Sequence, residues 1–307
     1  MTSNGHRPRV LAGVELGGTK AIVVLGRGDE IVERHRFPTT MPRETLPLIV
    51  AQLRQWASEH RPEALGIASF GPLGIDPASE RYGQIFTTPK PGWAGTNLID
   101  ELAGLIGGPV GLSTDVIAAA LAEREWGAAQ GCRDHVYITV GTGIGVGIVA
   151  NGQPIIGRLH PEAGHVRVAR VPGDDFAGVC AYHGDCLEGL ASGPAASARA
   201  GLTGERVGDD DPAWTFVVDA LAQGCANLLL TLASERIVLG GGVIVSRPWL
   251  IEAVEARMVE LLGGYLPDVG EGPVLRVAAL GPDAGPRGAL LLARNALARK
   301  RKGLPAG

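Results

Sequence analysis

Four side chains that can bind a transition metal lie close together in the second half of the sequence. In chain order they are His165, Cys180, His183 and Cys186. The last three follow the spacing Cys-x2-His-x2-Cys, and thiolate sulfur and imidazole nitrogen are the donors of tetrahedral zinc sites. Glu162 and Glu188 flank the four, so a metal that fixes this loop also fixes two carboxylates. The pattern predicts a zinc ion that shapes a binding site, and the alternative is a histidine-rich surface loop with two incidental cysteines.

Two glycine-threonine turns, about 124 residues apart, each join two apolar runs. The first is Gly17-Gly18-Thr19 and the second is Gly141-Thr142-Gly143. Such turns present backbone N–H groups to which phosphate can bind. The β-branched run Ala21–Leu25 predicts a strand after the first turn, whereas the Walker A and dinucleotide motifs need a helix there. The pair of turns indicates two related halves that both bind phosphate, although either turn alone could be an ordinary hairpin turn.

Asp115 stands where a short strand, Val110–Leu112, is predicted to lead into an alanine-rich helix, Val116–Trp126. A carboxylate beside a hydroxyl group could act as a general base. The same residue could equally be a helix N-cap with a purely structural role. The local sequence leaves both interpretations open.

Length and composition limit the class of protein. The 307 residues are 45% hydrophobic and 20% charged, which is typical of a soluble globular chain long enough for two domains. A net charge of −4 gives no support for a nucleic-acid or acidic-membrane surface. The polar residues 1–9 do not resemble a signal peptide, and the four cysteines do not resemble a disulfide framework. We therefore expect a cytoplasmic protein that binds neither nucleic acid nor membrane.

Hydrophobic periodicity predicts alternating strands and helices along the chain. The predicted strands are 10–14, 21–25, 64–70, 110–112, 136–140, 144–150, 236–239 and 274–278. The predicted helices are 44–58, 97–106, 116–126, 193–200, 212–232 and 288–299.

Eight motifs in this order resemble the ROK family of sugar kinases, within the actin-like ATPase superfamily, and most closely its zinc-containing bacterial fructokinases. Together they span nearly the whole chain. The motifs are Glu15–Lys20, Ala68–Pro72, Thr87–Trp93, Ser113–Asp115, Gly141–Gly143, His160–His165, the cysteine loop and Leu239–Val243.

The resemblance implies an α/β fold of two actin-like, ribonuclease H-like domains hinged over a catalytic cleft. The small domain would be residues 1–113, with the C-terminal helix 285–307 packed back on it. The large domain would be residues 114–284 and would contain the zinc-binding loop 160–190. A homodimer is expected for this family.

The resemblance also implies ATP-dependent phosphorylation of a hexose, most simply D-fructose to fructose 6-phosphate, with Mg²⁺ as cofactor and Asp115 as the catalytic base. The implied zinc ligands are the four residues named above. The implied hexose contacts are Glu162, His165, Glu188, Thr114 and Pro89. The implied ATP contacts are Gly17, Gly18, Thr19, Lys20, Gly141, Thr142, Gly143, Gly241 and Gly242.

Three residues depart from the family pattern, one of them Ala181, which replaces a proline usual in the cysteine loop. Glu15 stands where many sugar kinases of the superfamily have aspartate, and Ile117 stands where relatives commonly have asparagine. The change at Ile117 leaves the preferred sugar open, with glucokinase and mannokinase activity as the alternatives. A sugar-responsive repressor of the same family would carry an N-terminal DNA-binding segment, for which about nine residues before the first strand leave no room.

Overall fold

The computed structural model describes residues 8–202, 207–266, 269 and 274–304. These residues form two compact units. The first contains residues up to 122, residues 156–160 and residues from 283 onwards. The second contains residues 123–155 and 161–282. The domain limits expected at 113/114 and 284/285 stay predictions.

The first unit is built on a five-stranded sheet in the order β3-β2-β1-β4-β5. Its strands are β1 (Val10–Leu16), β2 (Lys20–Arg27), β3 (Glu30–Pro38), β4 (Leu65–Ser69) and β5 (Val110–Thr114). The first three strands pair antiparallel, and β4 and β5 join parallel to β1. The predicted hairpin around the first glycine turn is confirmed, because β1 pairs with β2 from Val10 to Leu16.

Four helices of the described chain belong wholly or partly to the first unit. They are α1 (Pro42–Glu59), α2 (Leu98–Leu102), α3 (Asp115–Trp126) and α9 (Ala284–Arg301). Helix α9 packs on β1, β4 and β5, where Gly66 and Gly111 let it approach. A Cβ atom on either glycine would overlap a carbonyl oxygen of α9. Leu290, Ala293 and Leu297 of this helix then complete a core with Leu11 and Val24.

The second unit repeats this topology. Its sheet has the order β10-β9-β6-β7-β8. The strands are β6 (His135–Val140), β7 (Ile144–Ala150), β8 (Gln153–Pro154), β9 (Arg236–Gly240) and β10 (Leu275–Val277). Strands β6, β7 and β8 pair antiparallel, and β9 and β10 join parallel to β6, as in the first unit. The duplication inferred from the two glycine turns therefore extends to whole sheets.

The described residues of the second unit form five helices, α4 (Leu187–Ala191), α5 (Gly193–Ala200), α6 (Ala213–Leu232), α7 (Gly242–Ser246) and α8 (Trp249–Leu262). In the described part of the chain, α6 alone is long and apolar enough to span a membrane. Its apolar residues, including Val217, Leu221 and Cys225, instead form the core of this unit. Core packing thus explains its composition.

The structure differs from the predicted elements in a few places. Strands β3 and β8 and helices α4, α7 and α8 were not predicted. Strand β3 alternates exposed and half-buried residues, and β8, α4 and α7 are short. Helix α8 was missed although its buried residues follow helical spacing. The helix predicted over 97–106 is wrong in length. Helix α2 ends at Leu102 and is followed by a 3-10 turn, Ala103–Leu105.

Candidate active site

The first glycine turn is closed by its own backbone. The Gly17 amide donates to the Lys20 carbonyl at 3.0 Å, so this N–H group holds the turn together. Thr39, just after β3, fixes the turn from outside: its amide donates to the Thr19 carbonyl and its hydroxyl to the Gly17 carbonyl. Among the described residues, no protein acceptor is seen for the amides of Gly18 and Thr19. These two amides are the ones free to bind an anion.

Lys90 lies directly against this turn. Its Nζ donates to the Gly18 carbonyl at 2.5 Å and lies 5.4 Å from the centre of the Phe70 ring. A Cβ atom at Gly18 would lie 2.8 Å from Nζ, so a larger residue would displace the lysine. Sequence reasoning missed Lys90 as a functional residue, although it lies inside the Thr87–Trp93 motif and next to the predicted sugar contact Pro89, which is exposed.

Asp115 is the first residue of α3, and its neighbour Thr114 caps the helix. The Thr114 hydroxyl accepts from the Ile117 amide at 3.2 Å, which is the bond that defines an N-cap. Asp115 Oδ1 accepts from the adjacent Val116 amide at 2.9 Å, and the carboxyl is also hydrogen-bonded by the amide of Asp115 itself. The expectation that Asp115 could be the N-cap is therefore wrong. Ile117 is buried, with 2% of its surface exposed.

Burial raises the pKa of two carboxyl groups of the first unit to near neutral pH. It raises the pKa of Asp115 to about 6, against the smaller opposing effects of the Val116 amide and Lys90. It also raises the pKa of Glu15 to about 7, and the charge of Asp115 adds to that rise. Glu15 Oε2 is buried without a hydrogen-bond partner in the described structure. A carboxylate whose pKa lies near the working pH is suited to accepting a proton.

The four predicted metal ligands of the second unit converge. Their donor atoms all lie within 4.8 Å of one another. The Sγ atom of Cys180 lies 3.6 Å from His165 Nδ1 and 3.7 Å from His183 Nδ1. Cys186 Sγ lies 3.5 Å from His165 Nδ1. Ordinary Zn–S and Zn–N bond lengths give sulfur–nitrogen edges of about 3.6 Å in a tetrahedron, so the arrangement fits one zinc ion.

Close backbone packing shapes the cysteine loop. Cys180 and Gly184 exchange two backbone hydrogen bonds, of 3.1 and 3.0 Å. Gly178 and Gly189 press against this turn, and a Cβ atom on either would overlap the Gly184 carbonyl. Cys186, the last of the four predicted ligands, immediately precedes α4, the helix that carries Glu188.

A buried ion pair anchors the same loop at a second point. Arg199 of α5 donates from two nitrogens to the two carboxylate oxygens of Asp174, each at 2.8 Å. The guanidinium lies 4.3 Å from the Phe176 ring centre and 4.7 Å from that of Phe216. Arg199 also holds the pKa of Asp174 below its usual value. The sequence did not reveal this pair, because its two members are 25 residues apart and carry no motif.

The segments that carry the predicted metal ligands contact the second glycine turn. Gly141 N donates to Gly143 O at 2.9 Å, which closes the turn as in the first unit. Glu188 Oε2 accepts from the Ile144 amide at 3.0 Å, and its Oε1 lies 4.0 Å from His165 Nδ1. The structure thus brings the predicted sugar contacts His165 and Glu188 together beside the turn.

The remaining predicted residues of the second unit lie on its loops. Glu162 is exposed and precedes the 3-10 turn Ala163–His165. Gly241 has φ +86°, and a Cβ atom there would lie 2.6 Å from Val140 N and overlap Val140 O. Only glycine fits this position, beside the end of β6. Gly242 begins α7, and its Cβ position is open.

Comparison with known proteins gives consistent matches over most of the chain. A model of the ROK family matches residues 11–296. The chain is 38% identical over 291 residues to a fructokinase of Pediococcus pentosaceus, covering 94% of this chain and 99% of that protein. It is 39% identical over 286 residues to a fructokinase of Zymomonas mobilis, covering 91% and 95%. The fold is similar to the crystal structure of a ROK family glucokinase from Streptomyces griseus in complex with glucose and AMPPNP. The TM-score is 0.76 at 27% sequence identity, and the match covers 93% of this chain and 99% of that one.

Proposed function

Because the chain belongs to the ROK family of sugar kinases, which have the actin-like fold, we propose that it is an ATP-dependent fructokinase that converts D-fructose to fructose 6-phosphate. The fructokinases of two bacteria at 38% and 39% identity support fructose as the substrate. The observation that carries the proposal is Asp115, whose carboxyl lies at the start of α3 with its pKa raised by burial to about 6.

In the proposed reaction, Asp115 accepts the proton of the fructose 6-hydroxyl group. The sugar oxygen forms a bond to the γ-phosphorus as the bond from phosphorus to the ADP oxygen breaks, so ADP leaves with the electron pair. Catalysis of this kind depends mainly on positioning and electrostatic stabilisation. The free amides of Gly18 and Thr19 would hold phosphate oxygens, with Lys20 at the start of β2 and Lys90 supplying positive charge. Asp115→Asn should lower kcat by about 10² or more.

The other ATP contacts are proposed on the second turn and its surroundings. Gly141 closes that turn, so Thr142 and Gly143 are the residues whose amides would bind phosphate. Gly241 and Gly242 would lie near the nucleoside. Mg²⁺, when bound, neutralises phosphate charge while it keeps most of its waters. The unpartnered Glu15 Oε2 is a fitting acceptor for one of those waters.

We propose that the zinc site is closed and structural. All four ligands come from the protein, which leaves no open position for water, and the sulfur–nitrogen distances of 3.5–3.7 Å match a tetrahedron. Zinc would then hold His165 and Glu188 in position. Together with Glu162, Thr114 and Pro89, they are the proposed hexose contacts. An unpaired polar group in a closed site costs about 1–3 kcal/mol, so each contact contributes to selectivity.

Glucokinase or mannokinase activity remains the second candidate, because Ile117 replaces the asparagine common in relatives. A coupled assay of ADP formation with fructose, glucose and mannose decides between them. Fructose should give the highest kcat/KM, and a higher value for glucose or mannose would overturn the choice of substrate. We further propose a cytoplasmic homodimer that binds neither nucleic acid nor membrane, and light scattering of the purified protein would test the dimer.

A further inference from the structure

Three contacts join the metal-binding segments to the second glycine turn, and all lie within the second unit. Glu188 Oε2 accepts from the Ile144 amide at 3.0 Å. Gly193, which follows α4, donates its amide to the Gly141 carbonyl at 2.8 Å. Gly164, next to the ligand His165, packs so closely on Ile144 that a Cβ atom would overlap the Ile144 carbonyl.

Two of these contacts are hydrogen bonds, one at each end of the turn, and the third is close backbone packing. The turn itself contributes a single closing hydrogen bond, from Gly141 N to Gly143 O at 2.9 Å. Glycine adds conformational freedom, because it populates many backbone conformations that other residues avoid. The turn's geometry therefore depends on the segments that contact it.

The same segments are the ones that the metal ligands hold. His165 ends the 3-10 turn that contains Gly164, and Cys186 immediately precedes α4, which carries Glu188. The five-residue α4 also packs into the core of the unit through Leu187, Leu190 and Ala191, so the ligand at its first turn adds to that packing. The described loop between these ligands is mostly half-buried or exposed, so it has little apolar surface with which to fold unaided.

We infer that Glu188 is a positioning residue for the phosphate-binding turn, and that zinc sets ATP affinity through it as well as sugar affinity. This inference rests on the proposed function, in which Thr142 and Gly143 bind phosphate. The metal then affects the binding of both substrates. In the proposed function His165 and Glu188 contact the sugar, while Glu188 Oε2 and Gly193 hold the phosphate-binding turn. Without the metal the turn would sample conformations in which its amides no longer converge, and the apparent affinity falls with the competent fraction.

The first experiment compares zinc-loaded protein with protein stripped by a chelator, with zinc content checked by metal analysis. Binding of a non-hydrolysable ATP analogue with Mg²⁺ is measured calorimetrically in the absence of sugar. Hydrogen exchange of the Ile144 amide is followed in parallel. Stripping should weaken nucleotide binding by about tenfold and make the Ile144 amide exchange faster, while amides in β6 and β9 keep their protection.

If the stripped protein does not stay folded, variants of Glu188 test the inference instead. Glu188→Ala, loaded with zinc, removes the acceptor for Ile144 N, and it should weaken binding of the analogue and speed Ile144 exchange in the same way. Glu188→Gln keeps an acceptor oxygen and should bind the analogue nearly normally. Glu252→Ala, on the exposed face of α8, is the matched control.

The outcomes separate the two proposals. Unchanged analogue affinity and unchanged Ile144 exchange in both stripped protein and Glu188→Ala would overturn the inference, even if sugar binding were lost. Absence of hexose phosphorylation by the loaded wild-type protein would instead overturn the proposed function. In that case the exchange rate of Ile144 still decides whether metal and Glu188 hold the turn.

Discussion

Lowering the pH through the pKa of Asp115 is expected to switch the enzyme off by protonating its base. With a pKa of about 6, the carboxylate is about nine tenths ionised at pH 7 and about one tenth ionised at pH 5. The kcat/KM for fructose should therefore fall about tenfold between these two pH values, with a midpoint near 6. An unperturbed aspartate would place the midpoint about two units lower.

Substitutions of Lys90 and Glu15 test what sets that midpoint. The positive charge of Lys90 lowers the pKa of Asp115, so Lys90→Met should move the acid limb to higher pH, whereas Lys90→Arg keeps the charge and should leave it nearly in place. Burial and the charge of Asp115 raise the pKa of Glu15 to about 7, so Glu15 is mostly protonated at pH 6. Glu15→Gln should therefore leave the limb nearly in place as well.

The assay is the pH dependence of kcat/KM between pH 4.5 and 8.5, at fixed ionic strength and saturating ATP with Mg²⁺. The groups that face the pair, Lys20, Arg34 and Asp283, are unchanged in every variant. A wild-type midpoint below 4.5 would refute the argument from burial. A midpoint that Lys90→Met leaves in place would refute the role of the lysine charge.

Three further substitutions test separate parts of the structure. Glu15→Gln should raise the melting temperature at pH 8. The pKa of Glu15 in the folded protein is raised to about 7, so its ionisation destabilises the fold as the pH rises from about 4.5 to 7. The gain in unfolding free energy should be up to about 3 kcal/mol, and a lower melting temperature at pH 8 would contradict it. Metal analysis should give one zinc per chain in the wild type, and Cys186→Ser should lose it and raise the fructose KM; full zinc content with a normal KM in this variant would contradict the zinc-site proposal. Gly241→Ala should destabilise the fold by about 1–3 kcal/mol or more, because φ is +86° there, and an unchanged denaturant midpoint would show that the backbone adapts.

Much of the fold could be predicted because its patterns are local. The turn at Gly17 lies between two β-branched runs, and helix α6 was predicted to begin one residue before its observed start at Ala213. Strand β3 was missed because it lies at the edge of its sheet and buries neither face, so it has no apolar alternation to detect.

The candidate site was predictable only where residue type and spacing carry the chemistry. The metal cluster is such a case, since Cys-x2-His-x2-Cys brings three ligands to one loop whatever lies around it. The contact of Lys90 with Gly18 joins positions 72 residues apart, and the pairing of Arg199 with Asp174 depends on how α5 packs. Such contacts follow from tertiary structure, which no local pattern contains.

Helix α9 has a consequence for how the protein is made. The helix comes after β10, yet it packs on the sheet of the first unit, where Leu290, Ala293 and Leu297 supply core residues. On a ribosome, all the strands of the second unit emerge before this helix does. The first unit emerges earlier, but one face of its sheet stays uncovered until α9 has been synthesised. The unit that is synthesised first is therefore the one that completes its folding last.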